Sequence, residues 1–144
     1  MTFIPRTNHG FSLIEMVIVM AVFGIVLSFG LPSFWRYSLT QQLRGTSENL
    51  VQTIQLQRSR AMATGQNVNI NFNMAAPNAW TVMGGGRSRV DLLPNGITYA
   101  SAAPTSLILD RFGHVNTSAL IVLRSRTGLL DTVSIQASGL ALIR

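Results

Sequence analysis

The chain has 144 residues, of which 47% are apolar and only 11% charged, and it contains no cysteine. A charged fraction under half of the roughly 25% usual in soluble domains argues against a disordered chain and against a charge-solubilised helical bundle. The missing cysteine excludes disulfides, thiolate zinc sites and cysteine nucleophiles. The 11 cations are all arginine, set against five acids; a net charge of +6 permits an anionic partner but, scattered along the chain, does not establish one.

The apolar excess is concentrated near the N-terminus. From Phe11 to Leu31 the chain reads FSLIEMVIVMAVFGIVLSFGL, 16 of 21 residues apolar with Glu15 the single charge. A helix of that length is roughly 31 Å long, about the thickness of a bilayer core. A buried core helix seldom runs so far without a polar face, so a membrane span is the better reading. A cleaved secretory signal would be shorter and followed by an A-x-A-like site, which is missing here. The preceding MTFIPRTNHG is polar, carries Arg6 and His9, and ends in Gly10 against the apolar block.

Glu15 is the unusual residue of the span. A carboxylate in a membrane segment costs a few kcal/mol or more and therefore needs a partner. None lies nearby on the same helix. Cleavage after Gly10 would make Phe11 a new, cationic N-terminus, which could meet the Glu15 of a neighbouring, axially shifted copy. The plainer alternative is that Glu15 snorkels to the headgroups.

Gly10-Phe11-Ser12-Leu13-Ile14-Glu15 followed by an apolar helix resembles the processing site of type IV pilins and type II secretion pseudopilins. The resemblance implies cleavage between Gly10 and Phe11 by a prepilin peptidase on the cytoplasmic side, N-methylation of Phe11, and retention of the helix. It also implies that Glu15 pairs with a neighbour's N-terminus during assembly. Gly30 and Pro32 fall where such proteins commonly kink, and proline removes a helical hydrogen bond and clashes one turn back.

Beyond Pro32 an amphipathic helix is expected over residues 33–64. Leu39, Leu43, Leu50, Ile54 and Ala61, with Ser47 and Gln57 between them, form one stripe, and Gly65 stops the helix. Arg44 and Glu48, four apart, are set to pair. After Gly65 the period becomes two, beginning with Val68, Ile70 and Phe72 in NVNINFN. Seven further short strands are expected over residues 80–83, 89–93, 97–101, 107–110, 119–124, 132–136 and 140–143. Turn signals at Pro77-Asn78, Gly84-Gly85-Gly86, Pro94-Asn95-Gly96, Phe112-Gly113 and Thr127-Gly128 separate them. The fold class is α+β, type IV pilin-like: a long N-terminal helix packed on an antiparallel β-sheet domain. The resemblance implies a leader at 1–10, a membrane or filament-core helix at 11–31, and a periplasmic domain at 32–144.

Within the pilins, the chain resembles the GspH/FimT family of minor pseudopilins. The matching elements are Leu50 to Phe72 (LVQTIQLQRSRAMATGQNVNINF), Leu107 to Gly113 (LILDRFG) and the closing strands from Ile121 to Ile143, with Ser138-Gly139 before the last. The resemblance implies a subunit of a type II secretion pseudopilus or a type IV pilus, acting in assembly or at the tip. Its partners would be other pilins or pseudopilins, the prepilin peptidase, the inner-membrane assembly platform and inner-membrane lipid.

No enzyme is expected. His114 is the one histidine left after leader loss and sits beside a turn glycine; a triad with Asp110 or Asp131 lacks a nucleophile elbow. The acids and histidines are too few for a metal, and Gly84-Gly85-Gly86-Arg87 lacks the spacing of nucleotide-binding loops. No cofactor is expected. Two pairs, Arg87/Arg89 and Arg124/Arg126, could bracket a phosphate if strand alternation put both members on one face. Some FimT-like pilins use a C-terminal glycine-arginine motif for DNA uptake; here only Arg144 of GLALIR matches it. A DNA-binding subunit is thus the alternative reading, and an anchored periplasmic domain that never polymerises is a third.

Overall fold

A computed structural model describes residues 11–144, without the side chains of residues 29–33. The leader, including Gly10, lies outside the described residues, and no side chain is described at the kink expected at Gly30 and Pro32. One helix, α1, runs from Leu13 to Thr64, and eight strands follow. They are β1 (Val68–Asn73), β2 (Ala79–Gly84), β3 (Arg87–Leu92), β4 (Ile97–Ala103), β5 (Ser106–Leu109), β6 (Ala119–Ser125), β7 (Leu130–Ile135) and β8 (Ala141–Ile143). The chain divides into two compact units, one ending at Arg36 and the other Tyr37–Arg144.

In the first unit every side chain from Phe11 to Ser28 is exposed. Leu13 is 83% and Phe23 60% accessible, on a helix segment with apolar residues all round. Among the described residues no helix is long and apolar enough to cross a membrane. The described side chains of the apolar run stop at Ser28, about 24 Å of helix from Leu13, short of the roughly 30 Å of a bilayer core.

The second unit is organised by the stripe of α1. Leu43, Ser47, Leu50, Ile54, Gln57 and Ala61 are buried, three and four residues apart, whereas Leu39 is half-buried. Thr46 and Ser47 return their hydroxyls to the carbonyls of Gln42 and Leu43, which satisfies both inside the helix.

The sheet region is two four-stranded antiparallel sheets, ordered β3-β2-β1-β5 and β4-β6-β7-β8. Val68, Ile70 and Phe72 of β1, Trp80 and Val82 of β2 and Leu107 and Leu109 of β5 line the inner face of the first. Ile121 and Leu123 of β6 and Val133 and Ile135 of β7 do so in the second, and all join the helical stripe in one core. On β4 a bulge between Tyr99 and Ser101 changes the parity, so Ile97, Tyr99 and Ala102 all turn inward. Tyr99 ties the sheets together: its hydroxyl donates to the Ala79 carbonyl at 3.3 Å, and its ring meets Phe72 edge-on at 6.2 Å. Burial pushes its hydroxyl pKa above the ordinary tyrosine value. Between β2 and β3 the two-residue turn Gly85-Gly86 has φ +59° and +73°, the type I′ geometry that a side chain resists. The Gly-Gly-Gly run therefore closes a tight hairpin.

Candidate assembly site

The N-terminal site begins with a helix cap. The Ser12 carbonyl accepts from Glu15 N–H at 3.1 Å and Met16 N–H at 3.3 Å, placing Ser12 at the N-cap and Glu15 in the first turn. Ser-x-x-Glu is the capping-box pattern, a local signal that the sequence reading missed. The reciprocal side-chain bonds do not form: Glu15 makes no side-chain hydrogen bond or ion pair with any described residue. Its carboxylate stands exposed among Phe11, Leu13, Ile14, Met16 and Val17, all more than half accessible. A carboxylate at a helix N-terminus is favoured by the helix dipole, which eases its desolvation without replacing a cationic partner.

The arginines are distributed differently. Arg87 and Arg89 lie on β3 opposite Gly84 and Val82, on one face. Arg89 is engaged there, its guanidinium 2.8 Å from Asp91. Arg124 sits on the outer face of β6 between Thr98 and Leu130. Arg126 follows the last residue of β6, Ser125, which pairs with Ile97. The Arg126 N–H donates to the Gly96 carbonyl at 2.7 Å, one step beyond that pair. Arg144 extends the β8 ladder, its N–H donating to Thr132 at 2.8 Å. Arg126 and Arg144 thus each lie one residue past a strand end, each continuing its ladder through its N–H. Arg44 pairs with Glu48 at 3.2 Å on the exposed side of α1.

His114 is exposed in the loop after β5 and lies 3.9 Å from the Asp110 carboxylate. That carboxylate accepts from the N–H groups of His114 (2.8 Å) and Phe112 (2.9 Å), which pulls its pKa below the ordinary value. Asp110 is therefore a turn organiser. Among the described residues no three acids or histidines come together as a metal site.

Residues 5–31 match the family model of the prokaryotic N-terminal methylation motif. The fold is similar to that of the type IV minor pilin FimU of Pseudomonas aeruginosa, with a TM-score of 0.60 and 15% identity over 75% of this chain and 92% of that one. It is also similar to EpsH, a minor pseudopilin of the Type 2 Secretion System of Vibrio cholerae, with a TM-score of 0.58 and 13% identity over 72% of this chain and 96% of that one. The fold is type IV pilin-like. No curated protein matches it in sequence. The pilin-like chain thus joins two parts, a methylation-motif helix that nothing within the described residues covers and a closed helix-and-two-sheet domain.

Proposed function

We propose that this chain is a minor pilin or pseudopilin subunit of the GspH/FimT branch, built to be inserted into a type IV pilus or type II secretion pseudopilus. The observation that carries the reading is the exposed apolar segment from Phe11 to Ser28, helical from Leu13, with one unpartnered carboxylate, Glu15, at its start. Such a helix is stable only when lipid or sister helices surround it. In this reading residues 1–10 are a leader removed between Gly10 and Phe11, and Phe11 is then methylated. Residues 11–31 wait in the inner membrane, and the domain from residue 32 onward, with its helix over 33–64, faces the periplasm. Gly30 and Pro32 allow the helix to bend between the two. Assembly moves the span from lipid into the filament core, where Glu15 meets a neighbour's amine. The work comes from a separate assembly platform, since the chain is a structural subunit and not an enzyme.

DNA uptake is not favoured, because Arg89 is engaged by Asp91 and only Arg144 of the C-terminal GLALIR matches the glycine-arginine motif. Two substitutions test the assembly reading in the native host. Replacement of Gly10 should leave the leader attached, read as an unshifted intact mass. Glu15→Ala should permit cleavage but abolish recovery of the subunit in sheared filaments or exoprotein in the medium, with Glu15→Asp intermediate. Wild-type output from Glu15→Ala would sink the proposal. Deletion assayed for exoprotein export, twitching and DNA uptake assigns the system.

A further inference from the structure

Two sheets have four edges, and three are protected. β3 presents Arg87 and Arg89 at its edge. β5 is covered by residues 115–116: Leu109 bridges Val115, and Asn116 exchanges hydrogen bonds with Ile108 at 3.0 and 3.1 Å. β4 carries the bulge, and the Tyr99 N–H donates to the Asn78 side chain at 3.5 Å. Charges, bulges and covering loops are how sheets avoid unwanted strand pairing.

The fourth edge differs. Among the described residues β8 pairs only with β7. Leu142 pairs with Ser134, Gln136 N–H donates to Leu140, and Arg144 N–H donates to Thr132. Even-numbered residues therefore direct their backbone groups to β7, and Ala141 and Ile143 turn theirs away. Among the described residues nothing pairs with that side, and Ala141-Leu142-Ile143 carries no charge. A groove flanks each face of the strand. On the outer face a cavity of about 570 Å³ is lined by Leu120, Ser134 and Leu142. On the inner face one of about 390 Å³ lies between β8 and α1, lined by Leu43, Leu129 and Asp131. Arg144 lines both and has no ion pair among the described residues.

We propose that the free edge of β8 is a docking site for an extended segment of a partner polypeptide, apolar at alternate positions and carrying an acidic side chain beside Arg144. Strand addition satisfies the outward N–H and C=O of Ala141 and Ile143, and the incoming side chains alternate between the two grooves. This site is independent of the filament reading, because it involves neither the apolar segment from Phe11 to Ser28 nor Glu15.

The test uses the full chain in detergent micelles and a fluorescent peptide with the sequence of β7, LDTVSI, which already suits a β8 neighbour and contains one acid. The peptide should bind. Methylating alternate backbone nitrogens of the peptide should weaken binding by about tenfold or more, since main-chain bonds supply the affinity. Ile143→Pro should do the same, as its N–H faces the free edge and is not part of the β7 ladder. Ile143→Val should not. Arg144→Ala should weaken the parent peptide but not its Asp-to-Asn copy. Thermal unfolding establishes that Ile143→Pro remains folded; should it unfold, the methylated peptide still decides. No binding, or binding indifferent to backbone methylation, overturns the proposal. So does dimerisation of the chain alone that Ile143→Pro abolishes, because the occupant would then be a second copy.

Discussion

The Arg58 guanidinium, on α1, donates from Nε to the main-chain carbonyl of Gly113 at 3.0 Å, joining residues 55 positions apart. Gly139 completes the contact. Any Cβ there would run into the Gly113 carbonyl and stand 3.0 Å from Arg58 Nε. The helix, the loop after β5 and the turn before β8 thus meet at one half-buried cation and two glycines.

Removing the cation should loosen all three elements. A hydrogen bond to a charged donor contributes about 1.5–3 kcal/mol, and Arg58→Ala leaves a buried carbonyl without its partner. The expected outcome is a fall in Tm on the order of 5–15 °C for a domain of this size. Arg58→Lys, which keeps charge but not the planar donor, should fall between. Calorimetry of the full chain in detergent checks it; an unchanged Tm in Arg58→Ala would show the tie to be incidental.

Gly139 and Gly128 separate backbone conformation from crowding. Both have positive φ, +78° and +85°, but nothing lies within 4 Å of a Cβ at Gly128. Gly128→Ala should therefore cost only the conformational term, about 1–2 kcal/mol. Gly139→Ala adds a main-chain collision and should cost at least about 2 kcal/mol more. Denaturant titration of the two variants gives the difference directly.

Tyr99 makes the domain sensitive to alkali. Its pKa is raised on folding by burial, so the unfolded chain ionises first, near the ordinary value of 10.0. Its contribution is intact below that pH and is lost as pH rises above it. Tyr99→Phe should flatten the loss of stability between about pH 10 and 12, while costing about 0.5–1.5 kcal/mol at neutral pH for the bond to Ala79. Equal alkaline slopes in wild type and variant would contradict this.

Asp110 acts at the other end of the scale. Its folded pKa is depressed, chiefly by the His114 N–H, so its contribution is present above the ordinary carboxylate pKa and disappears as pH falls through the lowered folded value. Asp110→Ala should speed amide exchange at Phe112 and His114 at pH 7. Asp110→Asn, which retains an acceptor oxygen, should remove the acid dependence of that exchange and keep much of the protection.

The helical stripe, all eight strands and most of the turns between them were legible because each depends on a period of 3.6 or 2 and on turn residues acting locally; no turn signal was read between β4 and β5, at Pro104-Thr105. Boundaries moved by one or two residues, as at β2, where Trp80–Met83 became Ala79–Gly84. The bulge that turns both Tyr99 and Ala102 inward left no mark in the sequence, because the extra residue is forced by pairing with β6. The capping pattern Ser12-x-x-Glu15 was there to be read. The Arg58–Gly113–Gly139 contact was visible only as an arginine and two glycines in separate stretches.

The sequence by itself determined where this chain is apolar, where it turns, and that one acid, Glu15, stands alone in a long apolar run; these are properties of neighbours along the chain. Only the tertiary structure decided that the strands divide into two sheets, with β5 returning to β1 and β4 crossing to β6. That choice also set which arginines share a face and left β8 as the unprotected edge. Strand partners and register depend on which distant inner faces close over the stripe of Leu43, Leu50 and Ile54, and no local period encodes that.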